Sequence, residues 1–187
     1  MRARRLMPIA VLAVAASVSA QETGPARETV TALLNGKKVT VDYGRPALRG
    51  RAVKELLAQL PANRVWRAGV NEATTLTTES DVMIGGKKVP AGKYTLYLYA
   101  PETGSYELLV NRDLGVPTGS GRLWPHIQDY PSIADKEAAR VPLKNVKPAE
   151  PMDRFLIGLA PAKAGASSIT LTWGDQSWTA DITPAGK

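Results

Sequence analysis

The chain has 187 residues, a formal net charge of +7, one histidine and no cysteine. The missing thiols exclude disulfides, thiolate metal sites, cysteine nucleophiles and c-type haem attachment, and His126 alone cannot build an imidazole-rich metal centre. Basic residues are scattered, with no Lys/Arg block or cationic helix to track phosphates, so nucleic acid is not an expected partner.

Residues 1–20 carry the three zones of a secretory signal. Arg2, Arg4 and Arg5 form the positive start, Leu6 to Ala16 form an apolar run broken only by Pro8, and Val18-Ser19-Ala20 places small residues before a cleavage point at Gln21. The run is shorter than the about 20 residues of a membrane span, so no span is expected once the signal is cleaved. Cleavage leaves 167 residues, with 21 basic against 17 acidic side chains and a net charge of +4, enough chain for one core. The expected destination is the periplasm or the medium.

Residues 21–27, with Gly24 and Pro25, read as a flexible leader, and 28–183 as a single β-rich domain before a tail at 184–187. Glu28–Leu34 and Lys37–Tyr43 flank Asn35-Gly36, a strong signal for a tight hairpin, although a looser turn between successive strands is equally compatible. Val39 and Val41 share one face of the second run; Thr40 and Asp42 share the other. Gly44–Arg51, reading GRPALRGR, is a loop. Val53, Leu56, Leu57 and Leu60 recur at helical spacing until Pro61, which predicts a short amphipathic helix over an open side or end of the sheet.

Ala73–Thr78 and Asp81–Ile84 then read as strands, Gly85-Gly86 as a turn, and Pro90-Ala91-Gly92 as a second turn after Lys87–Val89. Tyr94, Leu96 and Leu98 alternate with Thr95, Tyr97 and Tyr99, the clearest period-two pattern in the chain, which predicts Tyr97 and Tyr99 exposed together if the leucines face the core. Ser105–Val110 is the return strand. Residues 111–137, broken by Gly115, Pro117, Gly119, Gly121, Pro125 and Pro131, read as a long loop of the kind that is often functional. Arg140–Leu143 is an expected edge strand, because Pro142 removes a ladder donor. Arg154–Ala160, Ser168–Trp173 and Ser177–Ile182 complete the pattern. The expected class is all-β: an antiparallel sandwich or barrel-like domain with one short amphipathic helix.

DYGRPALRGR (42–51), VWRAGVNEATTL (65–76) and GGKKVPAGKYTLYL (85–98) resemble the ordered hallmark blocks of the exported bacterial DUF2911 family, over roughly residues 28–182. The resemblance implies no reaction, since the family is defined without one. Its matched polar positions are Tyr43, Arg45, Arg49, Arg51, Trp66, Arg67, Asn71, Glu72 and Thr74. Residues 111–137 are longer and richer in Pro and Gly than the corresponding family segment.

Arginine offers a planar donor fork for carboxylate, sulfate or phosphate, and tryptophan a stacking face. Tyr43, Arg45, Arg49, Arg51, Trp66, Arg67, Asn71 and Glu72, with Asp42, therefore form a candidate ligand set; the competing expectation is that arginines pair with Glu72 or Asp42 and pin loops to the sheet. Trp124, Trp173 and Trp178 with Tyr94, Tyr97, Tyr99 and Tyr106 offer aromatic faces for sugars or simply core. His126 sits near Asp129 without a GxSxG elbow. No catalytic residue, metal or cofactor is assigned. The leading expectation is a soluble domain binding a saccharide or peptide. The alternatives are an envelope glycan hydrolase using Glu72 and Asp42, and a structural or protein-interaction module.

Overall fold

The computed structural model describes residues 27–161 and 167–186. The expected signal at 1–20 lies outside the described residues. So does the leader, except Arg27, which already belongs to the first strand.

The described residues form fifteen strands and two short helices. In chain order they begin with β1 (Arg27–Leu34), β2 (Lys37–Gly44), α1 (Val53–Ala58), β3 (Val65–Trp66) and β4 (Thr74–Thr78). Next come β5 (Val82–Ile84), β6 (Lys87–Val89), β7 (Gly92–Tyr99), β8 (Glu107–Asn111), β9 (Val116–Pro117) and β10 (Leu123–Trp124). A 3₁₀ helix (Tyr130–Lys136) precedes β11 (Glu137–Pro142), β12 (Lys144–Val146), β13 (Met152–Pro161), β14 (Ser167–Gly174) and β15 (Gln176–Pro184).

Two large antiparallel sheets and a two-stranded one, β10-β9, result among the described residues. The first runs β1-β2-β4-β7-β8-β11, with β3 beside the far end of β7; the second runs β13-β14-β15-β5-β6, with β12 beside β15. Their hydrogen-bonded ladders do not close into a barrel among the described residues, so the expected all-β architecture is a two-sheet sandwich. The hairpin signals hold. Leu34 faces Lys37 and Ile84 faces Lys87 across two-residue turns, and Asn35, Gly36, Gly85 and Gly86 all have the positive φ that such turns require.

The core follows from alternation on the inner faces. Val39 and Val41, Leu76, Leu96 and Leu98 from the first sheet meet Phe155, Ile157, Ile169, Leu171, Trp178 and Ile182 from the second. Tyr43 crosses the gap: fully buried, it donates its hydroxyl proton to the carbonyl of Ile157 at 3.2 Å. The expected helix forms over Val53–Ala58 and buries Val53 and Leu57, and the Glu55 carboxylate accepts the Ala52 N–H at 3.3 Å.

One expectation fails. Tyr97 is not exposed beside Tyr99 but wholly buried. Residues 111–137 are not a bare loop; β9 and β10 form a small hairpin, and the 3₁₀ helix lays Tyr130 and Ile133 on the outer face of β7 and β8. The rings of Tyr97 and Tyr130 meet edge-on at 4.8 Å. Covering such a ring contributes about 1.5–3 kcal/mol, a reason for the segment to fold back on the sheet. Pro131 suits this second helix because its first turn needs no proline N–H.

Candidate ligand-binding site

The two blocks GRPALRGR and VWRAGVNEAT do meet, and they meet through backbone. A side chain at Gly44 would collide with the carbonyl oxygen of Val70, and one at Gly69 would stand 2.6 Å from Thr74 Oγ1. Thr74 Oγ1 in turn donates to the carbonyl of Ala68 at 2.9 Å. Within this tight loop Ala68 (φ 46°) and Asn71 (φ 62°) occupy the left-handed region, which costs non-glycine residues energy and fixes the direction of the next side chains.

Most arginines of the first block turn away from any opening. Arg45 donates through Nε to the Phe155 carbonyl at 3.0 Å and pairs with Glu28 at 2.8 Å. Arg51 caps the Leu48 carbonyl at 3.0 Å. Arg49 is exposed, and its backbone N–H donates to Asp153 Oδ1 at 3.2 Å. Trp66 stacks on Trp173 at 5.0 Å and meets Phe155 edge-on at 4.8 Å, so its ring belongs to the core's margin. Tyr43 is the buried strut already described. Tyr43, Arg45 and Trp66 tie the first sheet to β13 and β14, while Arg51 braces only its own loop.

Asn71 and Glu72 do reach an opening. They line a cleft of about 450 Å³ with Arg27, Asp42, Thr75, Lys93, Arg122 and Leu123. Alternation explains the floor: Asp42, Thr75 and Lys93 stand on the outer face of β2, β4 and β7. Arg27 organises it, donating through Nε to Asp42 Oδ1 at 2.6 Å, through Nη1 to Glu72 Oε2 at 3.1 Å, and through Nη2 to the Ala73 carbonyl at 2.8 Å. Thr29 Oγ1 donates to the other Asp42 oxygen at 2.8 Å. The opposite wall is the β9–β10 hairpin, whose Arg122 reaches the second Glu72 oxygen at 2.6 Å while the Ala73 N–H donates to the Leu123 carbonyl at 2.8 Å.

Arg67 lies on the other side of β10. It donates to the Asn71 carbonyl at 2.9 Å and places its guanidinium 5.3 Å from the centre of the Trp124 ring. Partial burial lowers its pKa from the ordinary arginine value. His126, at the hairpin's base, is bracketed by Asp129 at Nδ1 (2.6 Å) and Asp113 at Nε2 (3.5 Å), and its backbone N–H donates to the Tyr97 hydroxyl at 3.1 Å. Both ring nitrogens face carboxylates, which suits a clasp. Among the described residues no group of three or more His, Asp or Glu side chains could hold a metal ion.

Of the candidate set read from the sequence, Asp42, Asn71 and Glu72 line this cleft and Tyr43, Arg45, Arg49, Arg51, Trp66 and Arg67 do not, while Arg27, Lys93 and Arg122, outside that set, do. In the sequence Arg27 reads as part of the leader and Arg122 as part of an irregular loop. Only pairing over tens of residues brings them together, and nothing local signals it.

The fold and cleft define a two-sheet antiparallel domain with a polar, charge-lined recess on the outer face of one sheet. The chain belongs to the DUF2911 family, described as proteins of unknown function, whose model matches residues 25–182. No curated protein and no solved structure matches it.

Proposed function

We propose that this protein is an exported, non-catalytic binding domain that holds an acidic saccharide in the Arg27–Glu72–Arg122 cleft. The carrying observation is the Glu72 carboxylate, 18% exposed and bridged by Arg27 and Arg122. That bridge orients the Arg122 guanidinium, whose only side-chain bond among the described residues is to Glu72, beside an open space before any ligand arrives, which lowers the ordering cost of binding. The lining carries three cations, Arg27, Lys93 and Arg122, against two carboxylates, Asp42 and Glu72. Lys93 has no carboxylate partner among the described residues, so the excess charge favours a ligand that brings an acid group. Asn71 and Thr75 supply neutral donors and acceptors for hydroxyls.

Binding is favoured over glycan hydrolysis. A glycosidase pair works from two sides of the scissile bond, whereas Asp42 and Glu72 are joined through one guanidinium. Export is supported by the charge, apolar and small-residue zones of residues 1–20.

Calorimetric titration with uronate oligomers, neutral glucose oligomers and acidic peptides tests the reading. Acidic saccharides should bind in preference to the other two, and Arg122→Ala and Lys93→Ala should each weaken that binding by about tenfold. Equal affinity for neutral oligomers, preference for the peptides, or variants that bind as the parent does would overturn it.

A further inference from the structure

Of the seven aromatic residues that the sequence offered as a platform, Trp173, Trp178, Tyr94 and Tyr97 are buried, while Tyr106 and Tyr99 are partly buried, Tyr106 stacked on Trp178 and Tyr99 under Arg140. Trp124 is different: it is 46% exposed. Its ring lines a separate hollow of about 490 Å³ with Arg67, Gln59, Gln128 and Asp129. Consecutive residues of a strand point to opposite sides, so Leu123 lines the charged cleft and Trp124 the hollow.

We infer that this hollow is a second recognition site, built to take a neutral pyranose ring. A sugar ring presents an apolar C–H face and an equatorial rim of hydroxyls, and its receptor needs one fixed aromatic face with amides and a carboxylate beside it. Each part is held in place. The Arg67 guanidinium lies 5.3 Å from the centre of the Trp124 ring and is itself tied to the Asn71 carbonyl at 2.9 Å. Asp129 is pinned by His126 at 2.6 Å. The backbone carrying Gln128 is fixed from below by Asn63, whose Nδ2 donates to the carbonyls of Ile127 at 2.7 Å and Gln128 at 3.3 Å. An exposed tryptophan held this firmly loses little side-chain freedom on binding, the condition under which stacking yields net affinity. Asp129 and Arg67 offset one another in charge, which fits a neutral ring and separates the hollow from the cationic cleft.

This site does not depend on the cleft, and its signal is distinct: the Trp124 indole N–H, one of four tryptophans in the chain, read by ¹H–¹⁵N NMR. The probes are β-1,4-linked tetramers of glucose, xylose and N-acetylglucosamine. At least one should shift the Trp124 indole saturably; Trp124→Ala should weaken that tetramer by about tenfold or more, and Trp124→Tyr, which keeps a stacking ring, should restore most of the affinity. An unchanged melting temperature in Trp124→Ala is expected, since the ring adds little to the core. The proposal is overturned if none of the three tetramers shifts the indole, if Trp124→Ala costs clearly less than tenfold, or if Trp124→Tyr binds as poorly as Trp124→Ala.

Discussion

Glu72 and Arg122 stand fifty residues apart in the chain and meet at 2.6 Å, joining the loop that follows β3 to the hairpin of β9 and β10. Arg122 is 67% exposed, and pairs so open to water contribute only about 0.2–1 kcal/mol. Their contact therefore shapes the cleft more than it stabilises the fold. Glu72→Gln should cost no more than about 1 kcal/mol in urea denaturation, while amide exchange across 116–124 accelerates. Unchanged exchange in that hairpin would show that the pair does not hold the wall.

The close approach of Gly44 to Val70 gives a sharper stability test. Backbone cannot swing aside as a flexible side chain can, so Gly44→Ala must displace the 67–73 loop or the end of β2, at about 1–3 kcal/mol. Gly158→Ala, where a side chain meets nothing within 4 Å, is the control and should leave the denaturation midpoint nearly unchanged. Equal effects at the two positions would contradict the packing described.

Alkaline pH should loosen the covered outer face. Burial pushes the phenol pKa values of Tyr97 and Tyr130 well above the ordinary value of 10.0, with the nearby Asp113, Asp129 and Glu137 charges adding to the rise. Raised folded-state values mean that the stability contributed by these phenols is fully present below pH about 10 and is lost as pH rises from there towards the folded values. Absorbance titration should show Tyr97 and Tyr130 among the tyrosines that ionise late, with the buried Tyr43 and Tyr94 and the partly buried Tyr106 also raised, together with loss of fold. Six ordinary titrations in the intact protein would refute their burial.

Acid should act on the hairpin's base. The Lys136 ammonium, bonded to Asp113 at 2.7 Å, holds that carboxyl below the usual range, and the His126 bond does the same for Asp129. Depressed values contribute stability above the unfolded pKa of about 4 and lose it as pH falls through the folded values. Trp124 fluorescence should therefore change below pH about 4, before the core unfolds. Replacing Lys136 with Met should move that change to higher pH, and an unmoved transition would contradict the link.

The sandwich was legible because its signals are local. Asn35-Gly36 and Gly85-Gly86 demand tight turns, and Val39, Val41, Leu96 and Leu98 alternate as one-sided strands do. Tyr97 misled for a physical reason: period-two alternation tells the two faces of a strand apart, but a segment tens of residues later decides whether the second face is covered. The cleft was half legible for the same cause. Asn71 and Glu72 sit in a conspicuous polar block, whereas Arg27 and Arg122 acquire meaning only through the β1–β2 register and the hairpin's return to Ala73. The arginines of GRPALRGR, which look most like ligand donors in the sequence, are mainly spent on the carbonyls of Phe155 and Leu48.

Backbone NMR titration of the purified protein with a uronate trimer tests the cleft most directly. Binding there predicts saturable shifts confined to the amides of Asn71, Glu72, Ala73, Lys93 and 121–123, with half-saturation at about tenfold higher ligand concentration in Arg122→Ala. Shifts centred elsewhere, or none at all, would contradict it.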